Sequence, residues 1–294
     1  MTHLERLQSV LKDGALHIDA SQLEGRFMAC PHEWAFYALF KREANTPTPG
    51  RDYGKFLHKM LAAHYLGRPF DIAAEWAKEP PVAEDDYRTV DYTEQLFKLY
   101  KDTYSSEPFS VITVEAPFAL PVATLRVNDT AIPVLWTGKV DLVLRMHSDR
   151  SLWIMDHKSS KMGGQTFWTQ WTNSTQLHGY AWAVQELVEE KVSGYVVNAL
   201  FVRQPTRTGI CHELGRQMFT IEDGALDAWK TNVLNAIGSI GDCLARDHFW
   251  RNTSACARRY GMCEYHDICR LSGDRQAILD SNLYRDVTWS PLDD

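Results

Sequence analysis

The sequence predicts an α/β fold in which a mixed β-sheet is flanked by helices. Three observations carry this expectation. Apolar residues recur at helical spacing through the first third of the chain. After Pro108 the segments become rich in Val, Ile, Leu and Trp, with partial alternation. The order that follows is strand, strand, strand, helix, strand, which suits a mixed sheet better than a purely alternating doubly wound one.

Ser21-Gln22-Leu23-Glu24 has the S-x-x-E form of a capping box and opens a helix expected to break near Pro31 and to resume through the EWAFYALF run. Pro47, Pro49 and Gly50 mark a loop. Phe56, Leu57, Met60, Leu61 and Tyr65 then set a helix over 52–66, and a second is expected over 86–104. Segments 110–120, 133–144 and 151–159, separated by the polar groups VND and HSDR, read as an antiparallel meander of three strands. A long helix over 166–189, strands over 194–202 and 216–221, and a helix over 224–247 complete the pattern. No internal repeat or Gly/Ser linker divides the chain. The expected organisation is one integrated domain: a helical region over 1–107, a core over 108–222 and a C-terminal helix with a cysteine-rich region over 223–294, ending in a polar tail.

The chain has 294 residues, 45% hydrophobic and 23% charged, an ordinary globular composition. Residues 1–20 mix charge with isolated apolar residues and do not read as a signal peptide, and no run approaches a membrane span, so a cytoplasmic protein without membrane contact is expected. A net charge of -7 argues against a protein that coats nucleic acid non-specifically, while leaving room for an enzyme with a local basic groove. Six cysteines without a secretion signal point to metal rather than to disulfides.

The most informative stretch is Gly138-Lys139-Val140-Asp141-Leu142, followed after one turn by Ile154-Met155-Asp156-His157-Lys158-Ser159. Two strands of a hairpin would deliver Asp141 and Asp156 to neighbouring positions, with Lys158 on the face of Asp156. Charges buried in apolar strands must be paired or bind metal. Asp141 and Asp156 supply hard oxygen ligands suited to magnesium or manganese, and the His157 carbonyl offers another. Lys158 would then stand near the attacking water or the scissile phosphate. The alternative is a turn residue at Asp141 and a solvated Asp156–Lys158 pair on an outer face.

The array of G-x-x-D, D-x-K and the following Gln176-x-x-x-Tyr180 resembles the RecB-like branch of the PD-(D/E)XK nuclease superfamily. The resemblance implies a restriction-endonuclease-like sheet core and a face of the helix after the D-x-K strand on which Gln176 and Tyr180 contact DNA backbone or position the lysine. It also implies that His58, in Gly54-Lys55-Phe56-Leu57-His58, is a metal ligand, where helical context alone leaves it a packing residue. Glu115, in VEAPFAL, falls where related sequences carry a glutamate and is ranked as supporting rather than ligating.

Cys256-x6-Cys263-x5-Cys269 is compact enough for one metal centre, whereas Cys30 lies far off. Helicase-nucleases of the AddB type and nucleases of CRISPR adaptation systems look similar, with one cysteine before the nuclease core and three after it. That resemblance implies a 4Fe-4S cluster on Cys30, Cys256, Cys263 and Cys269. The first C-terminal spacing departs from the family, where two intervening residues are usual and six stand here. Structural zinc and plain buried thiols are the alternatives. Cys211 and Cys243 match nothing in the pattern.

The function that the resemblance implies is metal-dependent phosphodiester hydrolysis, with Mg2+ or Mn2+, by an exonuclease acting on single-stranded DNA or duplex ends in recombination, repair or phage DNA processing. Trp168, Trp171 and Trp182 are candidates for stacking on unpaired bases, and Lys161 for meeting phosphates. The G-x-x-x-x-G-K-[ST] loop of a nucleotide-driven motor is absent, so a helicase, recombinase or CRISPR adaptation protein would be a separate partner. The rival reading is a non-catalytic DNA-binding subunit of a helicase-nuclease or CRISPR adaptation complex.

Overall fold

The computed structural model describes residues 1–207, 209, 212–258, 261–270, 275–287 and 292. Its strands are β1 (Leu16–Ile18), β2 (Arg42–Ala44), β3 (Phe109–Val127), β4 (Thr130–Met146), β5 (Leu152–Ser160), β6 (Val192–Phe201), β7 (Glu213–Thr220), β8 (Ala257–Arg258), β9 (Gly261–Met262) and β10 (Tyr284–Asp286). The longer helices are α1 (His3–Val10), α2 (Pro49–Tyr65), α3 (Val90–Thr103), α4 (Thr175–Val188) and α5 (Ala225–Ala245). Two compact units interleave along the chain, one of residues 1–47, 117–138 and 226–294, the other of residues 48–116 and 139–225.

The second unit holds the end of β4, with β5, β6 and β7. β4 runs antiparallel to β5, β5 parallel to β6, and β6 antiparallel to β7, so the sheet is mixed. Helices α2 and α4 both pack on β5. The α2 stripe of Tyr53, Phe56, Leu57, Met60 and Leu61 is buried, as the helical spacing required. In α3, Thr89 caps the helix by accepting the Tyr92 N–H, and Tyr92, Leu96 and Tyr100 share the buried face four residues apart.

The helix expected over 166–189 is interrupted. A short helix, Gln165–Thr169, precedes α4, whose N-cap is Ser174. The break has a physical cause: the Tyr195 hydroxyl stands 2.7 Å from the Trp171 carbonyl oxygen and 2.8 Å from that of Thr172, and donates there, engaging acceptors a continuous helix would keep for its own N–H groups.

In the first unit, β1 runs parallel to the start of β4, and β2 pairs antiparallel with β10. Trp229 of α5 lies edge-on to Trp136, with ring centroids 5.3 Å apart. The capping box expected at Ser21 is corrected: Asp19 is the cap, accepting the Gln22 N–H at 2.9 Å, while Ser21 Oγ donates to the same carboxylate at 2.6 Å. The helical chain breaks at Cys30, whose φ of -159 is extended, and restarts at Pro31.

The strand register of the second unit depends on a close approach. A Cβ added at Gly194 would come within 2.3 Å of the Phe219 carbonyl oxygen and 2.4 Å of the Trp153 ring. Gly194→Ala is therefore expected to destabilise the metal-free protein by about 1–3 kcal/mol, read as a lower urea midpoint at unchanged slope.

Candidate functional site

The site of the second unit starts from the β4–β5 register. Leu142 pairs with Met155, so Asp141 and Asp156 occupy adjoining positions on neighbouring strands. Both are buried, at 6% and 1% exposure. Gly54 prepares the third participant: a Cβ there would meet Ser159 Oγ at 3.1 Å, so the glycine lets α2 lie close on β5. One turn later, His58 reaches Asp141, with Nδ1 3.1 Å from Oδ1. The other Asp141 oxygen accepts the His157 backbone N–H at 2.6 Å.

The charges of this group are set by mutual contact. Burial opposes a charge on His58, but the Asp141 carboxylate outweighs it and lifts the imidazole to about 9. Burial likewise pushes Asp141 upward, yet His58 and the His157 N–H hold its carboxyl well below the usual range. Asp156 goes the other way, raised by burial, with Lys158 offsetting part of the effect. The Lys158 Nζ lies 2.6 Å from Asp156 Oδ2 and donates to Gln176 Oε1 at 2.9 Å. Gln176 Nε2 in turn donates to the Tyr180 hydroxyl at 2.9 Å. The four-residue spacing on α4 thus places an acceptor on the lysine and a second group behind it. Trp171 lies beside the lysine, its ring centroid 5.0 Å from Nζ.

Glu115 enters through strained backbone. Its φ of 51 lies in the left-handed region, inside β3. Its Oε2 is 3.1 Å from Lys139 Nζ, and burial with the nearby Asp141 charge raises its pKa. His58, Glu115 and Asp141 each bring one ligand atom into a group whose members all lie within 4.8 Å of one another. Two carboxylate oxygens and an imidazole nitrogen are a donor set that a divalent cation fits. Of the ligands expected from sequence, the structure gathers His58 and Asp141, with Glu115 as the third member. Asp156 faces Lys158. The His157 ring is buried, stacked on Tyr65 with ring planes at 12°.

Of the stacking candidates, Trp171 is the one beside Lys158; sequence reasoning gave no role to Lys139 and passed over Arg216, whose guanidinium sits among Glu107, Tyr65, Tyr100 and Asn198. A hint was present in the polar Asn198 within the apolar run GYVVNALF. Of the other tryptophans, Trp182 is buried in the core, and Trp168 packs on Gly215 and Phe201.

In the first unit, Cys30, Cys256, Cys263 and Cys269 line one cavity of about 180 Å³ together with Asn252 and Tyr265. The wide Cys256–Cys263 spacing has a structural reason. β8 and β9 form a hairpin, Ala257 opposite Met262 and Arg258 opposite Gly261, which returns the Cys263 N–H to 2.8 Å from the Cys256 carbonyl oxygen. The Asn252 N–H donates to Cys30 Sγ at 3.4 Å. Cys211 lies outside the described residues.

A family profile described as the PD-(D/E)XK nuclease superfamily matches residues 18–270. Among solved structures, a candidate exonuclease from Eubacterium rectale is similar at 13% identity over 88% of each chain, with a TM-score of 0.51, a likeness of fold. The structure of SSO0001 is similar at 8% identity over 83% of each chain, with a TM-score of 0.32, too distant to carry an argument. None of the curated proteins compared matches the sequence. Among the described residues no helix is long and apolar enough to cross a membrane.

The His58–Asp141 contact makes a stability prediction whose sign is fixed. The folded pKa of His58, about 9, lies above its ordinary 6.5. The pair therefore contributes fully below about pH 6.5, and the contribution is lost as pH rises through about 9. Metal-free protein should lose urea stability across that window relative to His58→Gln; parallel curves for the two proteins would refute the assignment.

Proposed function

The chain belongs to the PD-(D/E)XK nuclease superfamily, and we propose that within it the protein is a RecB-like, metal-dependent DNA exonuclease whose second, cysteine-bound centre is an iron-sulfur cluster. As a member it is a phosphodiesterase, and the superfamily works with divalent metal. The observation that carries the finer reading is the placement of Lys158 between Asp156 and Gln176, beside the group of His58, Glu115 and Asp141.

In this reading His58, Glu115 and Asp141 hold Mg2+ or Mn2+, and Asp156 joins them from the adjoining strand. The ion would supply Lewis acidity at the phosphate and a nucleophile of lowered pKa at neutral pH. Lys158 carries three N–H donors. One is directed at Gln176, the ammonium is ion-paired with Asp156, and a further donor would serve a phosphate oxygen on which charge develops. Gln176 and Tyr180 hold the ammonium in place, and Lys139 stands on Glu115 in the metal-free site. Residues 108–222 act as the catalytic core, with His58 contributed from the region over 1–107.

Single-stranded DNA, or a strand drawn from a duplex end, is the substrate we favour. Trp171, half-buried beside Lys158, is the tryptophan best placed to meet an unpaired base next to the scissile phosphate. The name given to the Eubacterium rectale protein agrees with exonucleolytic chemistry. A helicase, recombinase or CRISPR adaptation protein would deliver the DNA.

For the cysteines, four thiolates lining one cavity are the ligand set that a 4Fe-4S cluster takes, and the pairing of β8 with β9 accommodates the six-residue spacing.

Two measurements test this reading. With end-labelled DNA and Mn2+, anaerobically purified protein should degrade single strands faster than blunt duplexes, and Lys158→Ala should lower turnover by about 10²-fold or more with the fold intact; undiminished turnover in the variant would remove Lys158 from the chemistry. Iron analysis should find about four irons per chain, lost in Cys256→Ala; stoichiometric zinc instead would overturn the cluster assignment.

A further inference from the structure

We propose that Arg216, acting through Asn198 and His157, is a positioning residue for the Asp141 carboxylate. The inference rests on the reading of His58, Glu115 and Asp141 as a metal site. It begins in the strand register. His157 on β5 stands beside Asn198 on β6, and Asn198 beside Arg216 on β7, so three polar residues form a ladder across three strands.

The hydrogen bonds along that ladder can run in only one direction. A guanidinium donates and cannot accept. Arg216 Nε therefore donates to Asn198 Oδ1, at 2.8 Å, and fixes which end of the amide is oxygen. The Asn198 nitrogen is thereby turned away, to 2.8 Å from His157 Nδ1 and 3.1 Å from the Tyr100 hydroxyl. His157 Nδ1 must accept, which places the proton of the neutral ring on Nε2. The ring is neutral by the same geometry, since the amide donor facing Nδ1 leaves no place there for a second proton.

The ring is held on its face as well. Tyr65 stacks on it at 5.8 Å, and the Tyr65 hydroxyl donates to Glu107 Oε1 at 2.8 Å. Arg216 ties these walls together: Nη2 donates to the Tyr65 and Tyr100 hydroxyls at 2.9 Å, and the two Nη atoms grip Glu107 at 2.6 and 2.9 Å. Glu107 compensates the half-buried guanidinium charge, and the fork geometry is one an ammonium cannot reproduce.

The consequence falls on Asp141. Fixing the His157 side chain fixes its peptide, and the N–H of that peptide donates to Asp141 Oδ2 at 2.6 Å. The remaining oxygen is left turned to His58 and the metal group. The middle residue of the D-x-K motif thus links a half-buried cation on β7 to a metal-holding carboxylate on β4. Partners of this outlying kind typically alter metal affinity by about 10- to 100-fold when removed.

The test combines nitrogen-15 NMR of His157 with calorimetric Mn2+ binding, on the full chain, for wild type, Asn198→Asp and Arg216→Met. Wild type should show the Nε2–H tautomer. Asn198→Asp, which turns the donor facing His157 into an acceptor, should place a proton on Nδ1. Arg216→Met should weaken Mn2+ binding by about 10-fold or more. A wild-type Nδ1–H tautomer, or Mn2+ bound equally by all three proteins whatever their melting temperatures, would overturn this inference alone. No Mn2+ binding by folded wild type would overturn the metal reading beneath it as well.

Discussion

The second unit depends on one constraint: two carboxylates, Asp141 and Asp156, are buried at adjoining positions of neighbouring strands. Taking such groups out of water costs several kcal/mol each unless partners are held in good geometry. The surroundings can be read as the response. His58 is brought to Asp141 by a glycine that lets its helix lie close on β5, a backbone N–H covers the other Asp141 oxygen, and Lys158 stands on Asp156. These partners leave the two acids unlike. Asp141 is held well below the usual carboxylate range by His58 and the His157 N–H, while burial pushes Asp156 up.

Glu115 shows a further cost borne at the same place. A non-glycine residue in the left-handed region costs of order 1–3 kcal/mol and persists only where surrounding structure holds it. Here the strand around it is continuous, Lys139 fastens the carboxylate, and the side chain arrives beside His58 and Asp141. In the first unit the cysteines are gathered by strand pairing. A hairpin inserted between Cys256 and Cys263 returns the chain to the cavity that Cys30 and Cys269 also line.

What was legible in the sequence followed from locality. The carboxylate and lysine array lies within short strand segments whose alternation is read directly, and the Gln176–Tyr180 pair needs only helical periodicity, so their mutual placement could be anticipated. The mixed sheet flanked by helices followed from the order of strands and helices. Glu115 was harder to read because a left-handed residue breaks the alternation by which strand faces are assigned. The interruption before Ser174 was hidden because its cause, the Tyr195 hydroxyl, lies more than twenty residues away. Arg216 carries no motif at all: its partners come from α2, α3, the segment before β3, and β6, and only the register gathers them.

That His58, Glu115 and Asp141 together hold the catalytic cation is tested by anomalous diffraction from Mn2+-soaked crystals of the full chain. The expected result is an anomalous peak at about 2.0–2.3 Å from an imidazole nitrogen of His58 and from carboxylate oxygens of Glu115 and Asp141, with Lys139 displaced from Glu115. A Mn2+ peak that leaves Glu115 paired with Lys139, or no peak beside Asp141 at saturating metal, would contradict it.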